Sequence, residues 1–425
     1  MRDEGEPQVA PIASDTHQFS RLMVFFALVY IVEGLGQTGG LISQPLNYFL
    51  KERYGWSPVE VTAYLTVLNF PWVIKPVYGI VSDFIPLFGY RRKAYLVIAN
   101  AGAAAAYFWV ASSTAPGEIL LGLLLTAYAM AASSTLSGAV LVENGQRFGA
   151  SDTFVNQEWL WFNVAAIASA LLGGLLVEHL SAAGALHTAA LIVGVAPFLA
   201  VFGTLFLISE ERSRADLAQL KATFRGLLTS LRRRELWLIG GFLFLYYFNP
   251  GFGTPLYYYM TDELRFSQQF IGLLGAVSSA GWVAGALIYR WALRGMTSRA
   301  LLYLSIIYGT VATLLFLLLA DPIAAVIVNF AAGVAGMISM VATLTLAADF
   351  APQRAEGFTY AALLSLTNLA MSLGDNVGSL LFEHVFGNRL APLILVSAAA
   401  TAVIVIFVPL LRLGGKRHGK AAARA

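Results

Sequence analysis

Segments of about twenty apolar residues recur along the whole chain, and this feature limits the possible folds more than any other. A bilayer core about 30 Å thick needs roughly 20 residues of helix to cross it. Composition agrees, since 58% of the 425 residues are hydrophobic and only 12% are charged. The predicted spans are residues 22–47, 59–82, 94–112, 118–141, 157–179, 185–208, 237–260, 268–290, 299–319, 322–347, 357–383 and 391–411. The sequence thus predicts an all-α membrane protein with twelve transmembrane helices.

Basic residues are distributed unevenly among the loops, which determines the expected orientation. If the N-terminus is inside, the outside loops hold only Lys51, Arg53, Arg265 and Arg389 of the 27 Lys and Arg residues. Cytoplasmic loops are the ones enriched in Lys and Arg. We therefore expect both termini in the cytoplasm, and the compact loops and short tails favour a bacterial inner (plasma) membrane.

The longest loop, residues 209–236, is polar and basic and divides the predicted spans into two groups of six. This is the layout of a major facilitator superfamily carrier, in which two six-helix halves move around a site near the membrane midplane. We expect a cytoplasmic N-terminal tail (1–21), an N-terminal half (22–208), the central loop, a C-terminal half (237–411) and a basic C-terminal tail (412–425).

The first predicted span contains an acidic residue, Glu33, and ionisable residues inside a span are costly and usually functional. Glu33, Gln37, Gly40 and Gln44 follow one another at spacings of four, three and four, which places them on one helix face. The glycine-rich sequence around them, followed by Pro45, predicts a bent or partly unwound outer end. This face is a candidate lining for a substrate site.

The second predicted span contains a basic residue, Lys75, at a depth comparable with that of Glu33 on the neighbouring helix. One interpretation is a structural ion pair of Lys75 with Glu33 or Asp83. The other is a functional site, in which Glu33 is the proton-linked acid and Lys75 holds an anionic group of the substrate. Both interpretations stay open at the level of sequence.

The eleventh predicted span carries a periodic polar face. Ser365, Asn368, Ser372, then Asp375 or Asn376, and Ser379 recur at spacings of three or four residues, so they lie on one side of a helix. We expect this side to line the substrate pathway. Asp375 lies nearer the external mouth than the centre, where it would be either part of an outer gate or a solvated residue.

Aromatic residues and a helix-breaking sequence mark the seventh predicted span. The order Asn-Pro-Gly, beginning at Asn249, resembles the discontinuous helices that border the sites of carriers. Tyr246, Phe248, Trp72 and Trp161 would suit the walls of a site for a flat ring, because aromatic faces stack. The alternative for each of these four residues is ordinary packing between helices.

Several kinds of site have no support in the sequence. The chain contains no cysteine, no H-E-x-x-H and no phosphate-binding loop of the G-x-x-x-x-G-K type. We therefore predict no catalytic residue, metal or cofactor, and a net charge of +3 indicates no nucleic-acid partner. The expected partners are a small-molecule substrate, a proton as an option, and the lipid bilayer. The expected assembly is a monomer.

Two short motifs, one at the end of the second predicted span and one just after it, resemble the general facilitator motif between helices 2 and 3. They read GIVSD and GYRRK, and they contain Gly79, Asp83, Arg91 and Arg92. The resemblance implies that the glycine lets helices approach and that the acidic and basic residues latch the cytoplasmic side. We expect these four residues to form a cytoplasmic gate.

Longer segments are similar to the folate-biopterin transporter family of this superfamily. They are PLNYFLKERYGWSP, FPWVIKPVYGIVSD, DFIPLFGYRRKAYLV, LVENGQ, YYFNPGFGTPLYYYMTDELRFSQQFIG and APQRAEGFTYAALLSLTNLAMSLG. The resemblance implies a twelve-helix carrier for pterin-type compounds, with import as the implied direction. One departure is the fourth span, where the family has acidic residues and this chain reads Ser-Thr-Leu-Ser from Ser134.

These features together predict a secondary active transporter of a small organic solute that works by alternating access, with proton coupling as an option through Glu33. One alternative is an exporter of a drug, siderophore or other metabolite with the same fold. An alternative of another class is a membrane scaffold or pigment-assembly factor that does not transport, because a fold alone does not establish function.

Overall fold

The computed structural model describes residues 13–213, 234–349 and 356–411. Most of the predicted N-terminal tail, residues 214–233 of the central loop and the predicted basic C-terminal tail lie outside the described residues.

The described residues are almost entirely helical, and they include no β-strand beyond one isolated bridge. The helices are α1 (Ala13–Gly36), α2 (Ser43–Tyr54), α3 (Pro58–Val73), α4 (Lys75–Phe84), α5 (Lys93–Ser112), α6 (Pro116–Phe148), α7 (Ser151–His179), α8 (Ala182–Leu207), α9 (Arg234–Tyr247), α10 (Gly253–Tyr258), α11 (Gln268–Ile288), α12 (Ser298–Leu315), α13 (Pro322–Asp349), α14 (Glu356–Leu380) and α15 (Leu390–Val403). Short π-helical turns extend α10, α11 and α14, and 3₁₀ turns extend α12 and α15.

Nine helical stretches of the described chain are long and apolar enough to cross a membrane. They correspond to nine of the twelve predicted spans. The second and seventh predicted spans each consist of two shorter helices, α3 with α4 and α9 with α10, and the eleventh corresponds to α14. The integral membrane character is confirmed, whereas the count of twelve transmembrane helices stays a prediction.

The two ends of the helical bundle carry different parts of the chain. One end, here the terminal end, holds the start of α1 and the end of α15, and there the Arg21 guanidinium donates a hydrogen bond to the Phe206 carbonyl. The opposite end, here the distal end, holds the α2–α3 and α10–α11 connections. The sequence predicts that the terminal end faces the cytoplasm.

Small residues allow close helix crossings in the bundle. A β-carbon added at Gly272 of α11 would lie 2.8 Å from the Cα of Gly174 in α7. A β-carbon added at Gly333 of α13 would lie 3.0 Å from the Cα of Gly281 in α11. Glycine permits such backbone approach, on which helix association in membranes depends. The α7–α11 crossing also joins the two predicted halves.

The breaks predicted in the first and seventh spans are confirmed. The chain leaves α1 at Gly36 and enters α2 at Ser43, and it leaves α9 at Tyr247 and enters α10 at Gly253. A third break, at Ile74 between α3 and α4, was not predicted. Backbone groups at such breaks need partners from other parts of the protein, because lipid supplies none.

The break at Ile74 shows how these partners are provided. Pro76 has no N–H, so the Trp72 carbonyl loses its usual helical donor. The Asn368 side chain on α14 donates to that carbonyl at 3.2 Å, and the Tyr78 hydroxyl donates to the Pro71 carbonyl at 3.0 Å. A polar residue of the second half therefore completes the backbone of the first half.

Polar contacts join the two halves at the distal end. The Lys51 ammonium lies 2.5 Å from an oxygen of Asp262, and the hydroxyls of Thr62 and Ser379 are 2.7 Å apart. Further contacts of this distal interface pair Gln44 with Gln268, Thr66 with Asn376, and the Trp56 carbonyl with Tyr258. The distal part of the polar face predicted on α14 thus contacts the first half, and the bundle is closed at this end.

We expect Gly272→Ala to destabilise the protein, because its methyl group would lie 2.5 Å from the Ala170 carbonyl oxygen. Overpacking of this kind costs about 1–3 kcal/mol. Thermal unfolding of the purified protein in detergent measures the loss. The matched control is Gly102→Ala in α5, where an added β-carbon meets no atom within 4 Å. Equal unfolding temperatures for the two variants would contradict the proposed crossing.

Candidate functional site

The predicted charges of the first two spans meet through a serine hydroxyl. Lys75 Nζ donates to Ser134 Oγ at 3.1 Å, and Ser134 Oγ donates to Glu33 Oε1 at 2.7 Å. Glu33 lies near the end of α1, Ser134 in the middle of α6 and Lys75 at the start of α4. The structure therefore brings Glu33 and Lys75 together, with Ser134 between them.

The local chain geometry explains the position of the ammonium group. Because the helix is interrupted at Ile74, Lys75 begins a new helix rather than continuing α3. Its Nζ lies 4.7 Å from the centre of the Trp72 ring, within the range of a cation–π interaction. The Trp72 ring thus contacts the Lys75 ammonium, and the Trp72 backbone carbonyl accepts a hydrogen bond from Asn368 of the second half.

A second carboxylate belongs to the same cluster and was missed in the sequence. Glu158 of α7 interacts electrostatically with Glu33 and Lys75, and it lies close to the hydroxyl of Tyr30. Glu158 is the second residue of the predicted span 157–179 and was not among the predicted site residues. In the structure α7 begins at Ser151, which puts Glu158 two turns inside the helix.

Helix periodicity, together with the contact between α1 and α7, places Glu158 on the face of α7 that packs against α1. A β-carbon added at Gly34 of α1 would lie 2.8 Å from the Phe162 carbonyl oxygen and 2.7 Å from the Ala165 side chain, so this face of α7 packs on α1. Glu158 precedes Phe162 by one turn and therefore shares that face. The signal available in the sequence was a carboxylate inside a predicted span.

The cluster contains two carboxylates and one ammonium group. Glu33 Oε1 is bound by Ser134, but Glu33 Oε2 is buried and has no hydrogen-bond partner among the described residues. A buried charge without a partner is strongly unfavourable. The cluster can therefore bind a proton at an acid and, at Lys75, an anionic group. The described residues contain no group of three His, Cys, Asp or Glu side chains suited to a metal ion.

Two further predicted residues of the first half, Gln37 and Trp161, are close in sequence to Glu33 and Glu158. Gln37 is the first residue after α1, and its backbone N–H donates to the Glu33 carbonyl at 3.0 Å. Trp161, one turn after Glu158, donates from Nε1 to Gln157 at 2.8 Å and packs against the buried core. Both side chains are half-buried.

The predicted residues of the second half divide into two groups. Asn368 reaches the first half through Trp72, and Ser365 lies one turn closer to the terminal end on the same helix. The Ser365 hydroxyl is buried and has no hydrogen-bond partner in the described part of the chain. Among the predicted residues of α14, Ser365 and Asn368 are the ones that lie beside α4, the helix that begins with Lys75.

The remaining predicted residues of the second half are bound within that half. The Tyr246 hydroxyl donates to Ser305 at 3.0 Å, and the Asn249 amide donates to Thr401 at 2.8 Å. The Asp375 carboxylate packs directly against Gly251 in the break between α9 and α10. The structure does not bring these three residues to the Glu33–Lys75 cluster.

Two of the predicted gate residues, Asp83 and Arg92, form an ion pair in which the guanidinium group is buried. Arg92 Nη2 lies 2.5 Å from Asp83 and 3.1 Å from Glu143, and Nη1 donates to Ser82 at 2.5 Å. Arg92 is only 6% exposed, so these partners compensate a charge that water reaches poorly. The contacts join α4, the α4–α5 loop and α6 within the first half.

Of the other two predicted gate residues, Arg91 binds through its backbone, whereas the close helix approach expected at Gly79 is absent from this structure. The backbone N–H of Arg91 donates to Glu210 at 2.7 Å, and the same carboxylate accepts from the N–H of Lys93, which begins α5. A carboxylate is favourable at the N-terminus of a helix. A β-carbon added at Gly79 would lie 3.8 Å from a methyl group of Thr135, an ordinary contact.

Comparison with known proteins identifies the family. A model of the BT1 family matches residues 35–417. The chain belongs to the BT1 family. A relative named "Folate-biopterin transporter" from Synechocystis sp. is 30% identical over 91% of this chain and 81% of its own length. As a member of this family, the chain is a membrane transporter.

Solved structures with low sequence identity establish the fold of this BT1 member. A mutant of the nucleoside transporter NupG superposes with a TM-score of 0.72 over 93% of this chain and 99% of the other, at 16% identity. The D-xylose-proton symporter superposes with a TM-score of 0.65 over 93% and 97%, at 12% identity. The predicted major facilitator fold is confirmed.

We expect Asp83→Asn to change the balance between the conformation that is open at the terminal end and the one that is open at the distal end. This effect should exceed any change in stability. The substitution removes one of the acids bound to Arg92, and α4, which carries Asp83, packs against α14 of the other half. The chain has no cysteine, so a single Thr62→Cys reporter in the distal interface can be labelled without background.

The measurement is the rate at which a water-soluble maleimide labels this reporter, and we expect a change of several-fold. Asp152→Asn, an exposed acid at the same end of the bundle, is the control. A labelling rate equal to that of the parent, at equal unfolding temperature, would refute a gating role for Asp83.

Proposed function

We propose that this BT1 member carries a folate- or pterin-type solute by alternating access, coupled to protons, with the Glu33–Ser134–Lys75 cluster as its central site. The observation that carries the proposal is the pairing of an ammonium and a carboxylate through one hydroxyl, deep between helices, beside an aromatic ring. The name of the Synechocystis relative supports the class of solute.

The chemistry of the cluster suits such a solute. Folates combine a flat heteroaromatic ring with carboxylates. Lys75 offers a cation to an anionic group, and Trp72 and Trp161 offer faces on which a ring can stack. Ser365, whose buried hydroxyl has no partner in the described part of the chain, offers a hydrogen bond from the second half.

The same contacts suggest how binding is transmitted to the rest of the bundle. An anion at Lys75 competes with Ser134 for the ammonium, and Lys75 begins the helix that follows the break at Ile74. At that break Asn368 binds the Trp72 carbonyl across the two halves. Movement of α4 therefore changes a contact between the halves, which is what alternating access requires.

Protonation of Glu33 accompanies solute binding in this proposal. When a solute anion takes the ammonium, Glu33 loses its counter-charge, and a proton restores neutrality. Gly79, Asp83, Arg91 and Arg92 form the gate on the cytoplasmic side. We further propose import, a monomer and a bacterial inner membrane with both termini in the cytoplasm.

Transport assays test the site directly. In proteoliposomes we expect the parent to exchange labelled folate or a pterin against the unlabelled compound. Lys75→Ala should lower this counterflow at least tenfold, because an interaction with a charged group contributes roughly 1.5–3 kcal/mol. Glu33→Gln should remove the pH dependence of uptake. Solute-dependent thermal stabilisation of the purified protein checks binding independently.

Two exposed charges supply matched controls for these variants. Arg53→Ala in α2 and Glu118→Gln in the first turn of α6 remove charges of the same signs at the surface, and both should exchange solute like the parent. Parent-like uptake and pH dependence in Lys75→Ala and Glu33→Gln would eliminate the cluster as the site. Absence of folate and pterin exchange in the parent would eliminate the proposed solute.

A further inference from the structure

Glu158 lies beside the Glu33–Ser134–Lys75 cluster and has no part in the mechanism described so far. The charge of Glu33 is compensated by Lys75 through Ser134, but Glu158 has no hydrogen-bonded cation among the described residues. The titratable groups that act on Glu158 are Tyr30 and Glu33 of α1 and Lys75 of α4. The two carboxylates and the single ammonium group together carry a net negative charge, and binding of a proton to one carboxylate neutralises it.

Glu158 lies nearer the terminal end of the bundle than Glu33 does. The helices α1 and α7 cross where Gly34 meets the Phe162 carbonyl. Glu158 precedes Phe162 by one turn, and α7 starts at the terminal end, so Glu158 lies on the terminal side of this crossing. Tyr30 precedes Gly34 by one turn in α1, which starts at the same end. Both residues therefore lie between Glu33 and the terminal end.

The bundle is closed at its distal end, and this determines the side on which protons leave. Contacts such as Lys51–Asp262 and Thr62–Ser379 close the distal end, so exchange with solution in this state has to occur at the terminal end. A proton released by Glu33 must leave on that side. Glu33 Oε2, the oxygen without a hydrogen-bond partner in the described part of the chain, is the one free to give it up.

We propose that Glu158 is the proton relay between Glu33 and the solution at the terminal end, positioned by Tyr30, whose buried hydroxyl has no other hydrogen-bond partner among the described residues. The O–H bond of protonated Glu33 breaks and an O–H bond forms on the Glu158 carboxylate, while Glu33 becomes the carboxylate paired to Lys75. Glu158 then passes the proton to water and is again a carboxylate. This inference rests on the proposed function, because it concerns the proton that accompanies the solute.

A relay residue has a kinetic signature that a solute-binding residue lacks. Exchange of labelled for unlabelled solute at equal pH needs no net release of protons, whereas uptake driven by a pH gradient does. We expect Glu158→Gln to keep folate counterflow within about twofold of the parent. The initial rate of pH-driven folate uptake should fall at least tenfold, which corresponds to about 1.4 kcal/mol.

Two further variants and a second readout complete the experiment. Glu158→Asp should restore pH-driven uptake, and Tyr30→Phe should slow it while leaving counterflow unchanged. Asp152→Asn, an exposed acid in the first turn of the same helix, is the control and should resemble the parent. A pH-sensitive dye measures proton movement upon addition of folate, and this signal should be slowed in Glu158→Gln in parallel with uptake.

The outcomes separate the relay from the proposed function. If the parent exchanges folate and Glu158→Gln shows pH-driven uptake within twofold of the parent, the relay is refuted. Loss of counterflow in Glu158→Gln at an unchanged unfolding temperature also refutes it, because Glu158 would then belong to the solute site. If Glu158→Gln does not fold, parent-like driven uptake in Tyr30→Phe refutes the positioning by Tyr30 and with it the proposal as stated. If the parent exchanges neither folate nor a pterin, the proposed function itself is wrong.

Discussion

The cost of a charge inside the hydrocarbon layer is the constraint on which the arrangement of the first half depends. Glu33 and Lys75 come from helices that are distant in sequence, and they are tolerated because Ser134 joins them and the Trp72 ring covers the ammonium. These contacts fix the relative positions of α1, α4 and α6. Removal of one partner would leave the other buried and uncompensated, which costs more than the pair contributes.

Interrupted helices impose a second constraint, because each break exposes backbone groups that lipid cannot satisfy. The break before Lys75 is completed by Asn368, and the Gly251 N–H in the seventh segment donates to the Gly374 carbonyl at 3.0 Å. Both partners lie on α14. The helix with the polar face therefore contacts the helix breaks of both halves.

The polar face of α14 serves two purposes that differ along its length. Toward the distal end, Asn376 and Ser379 bind Thr66 and Thr62 and close the bundle. Nearer the terminal end, Ser365 and Asn368 lie beside the helix that carries Lys75. One helix thus contacts both the distal interface and the helix that carries Lys75, and this arrangement supports alternating access as the proposed mechanism.

Much of this protein could be predicted from local sequence. Apolar length indicated the spans, and the Gly and Pro residues predicted two of the three helix breaks, because membrane insertion and backbone conformation depend on nearby residues. Glu33 and Lys75 were recognisable because charge is rare at that depth. Only the tertiary structure decided that Ser134 joins them, that Glu158 is part of the cluster, and that Tyr246 and Asn249 bind within their own half. Those outcomes depend on where helices cross, and a crossing is set by the packing of residues far apart in the chain, such as Gly34 against Phe162.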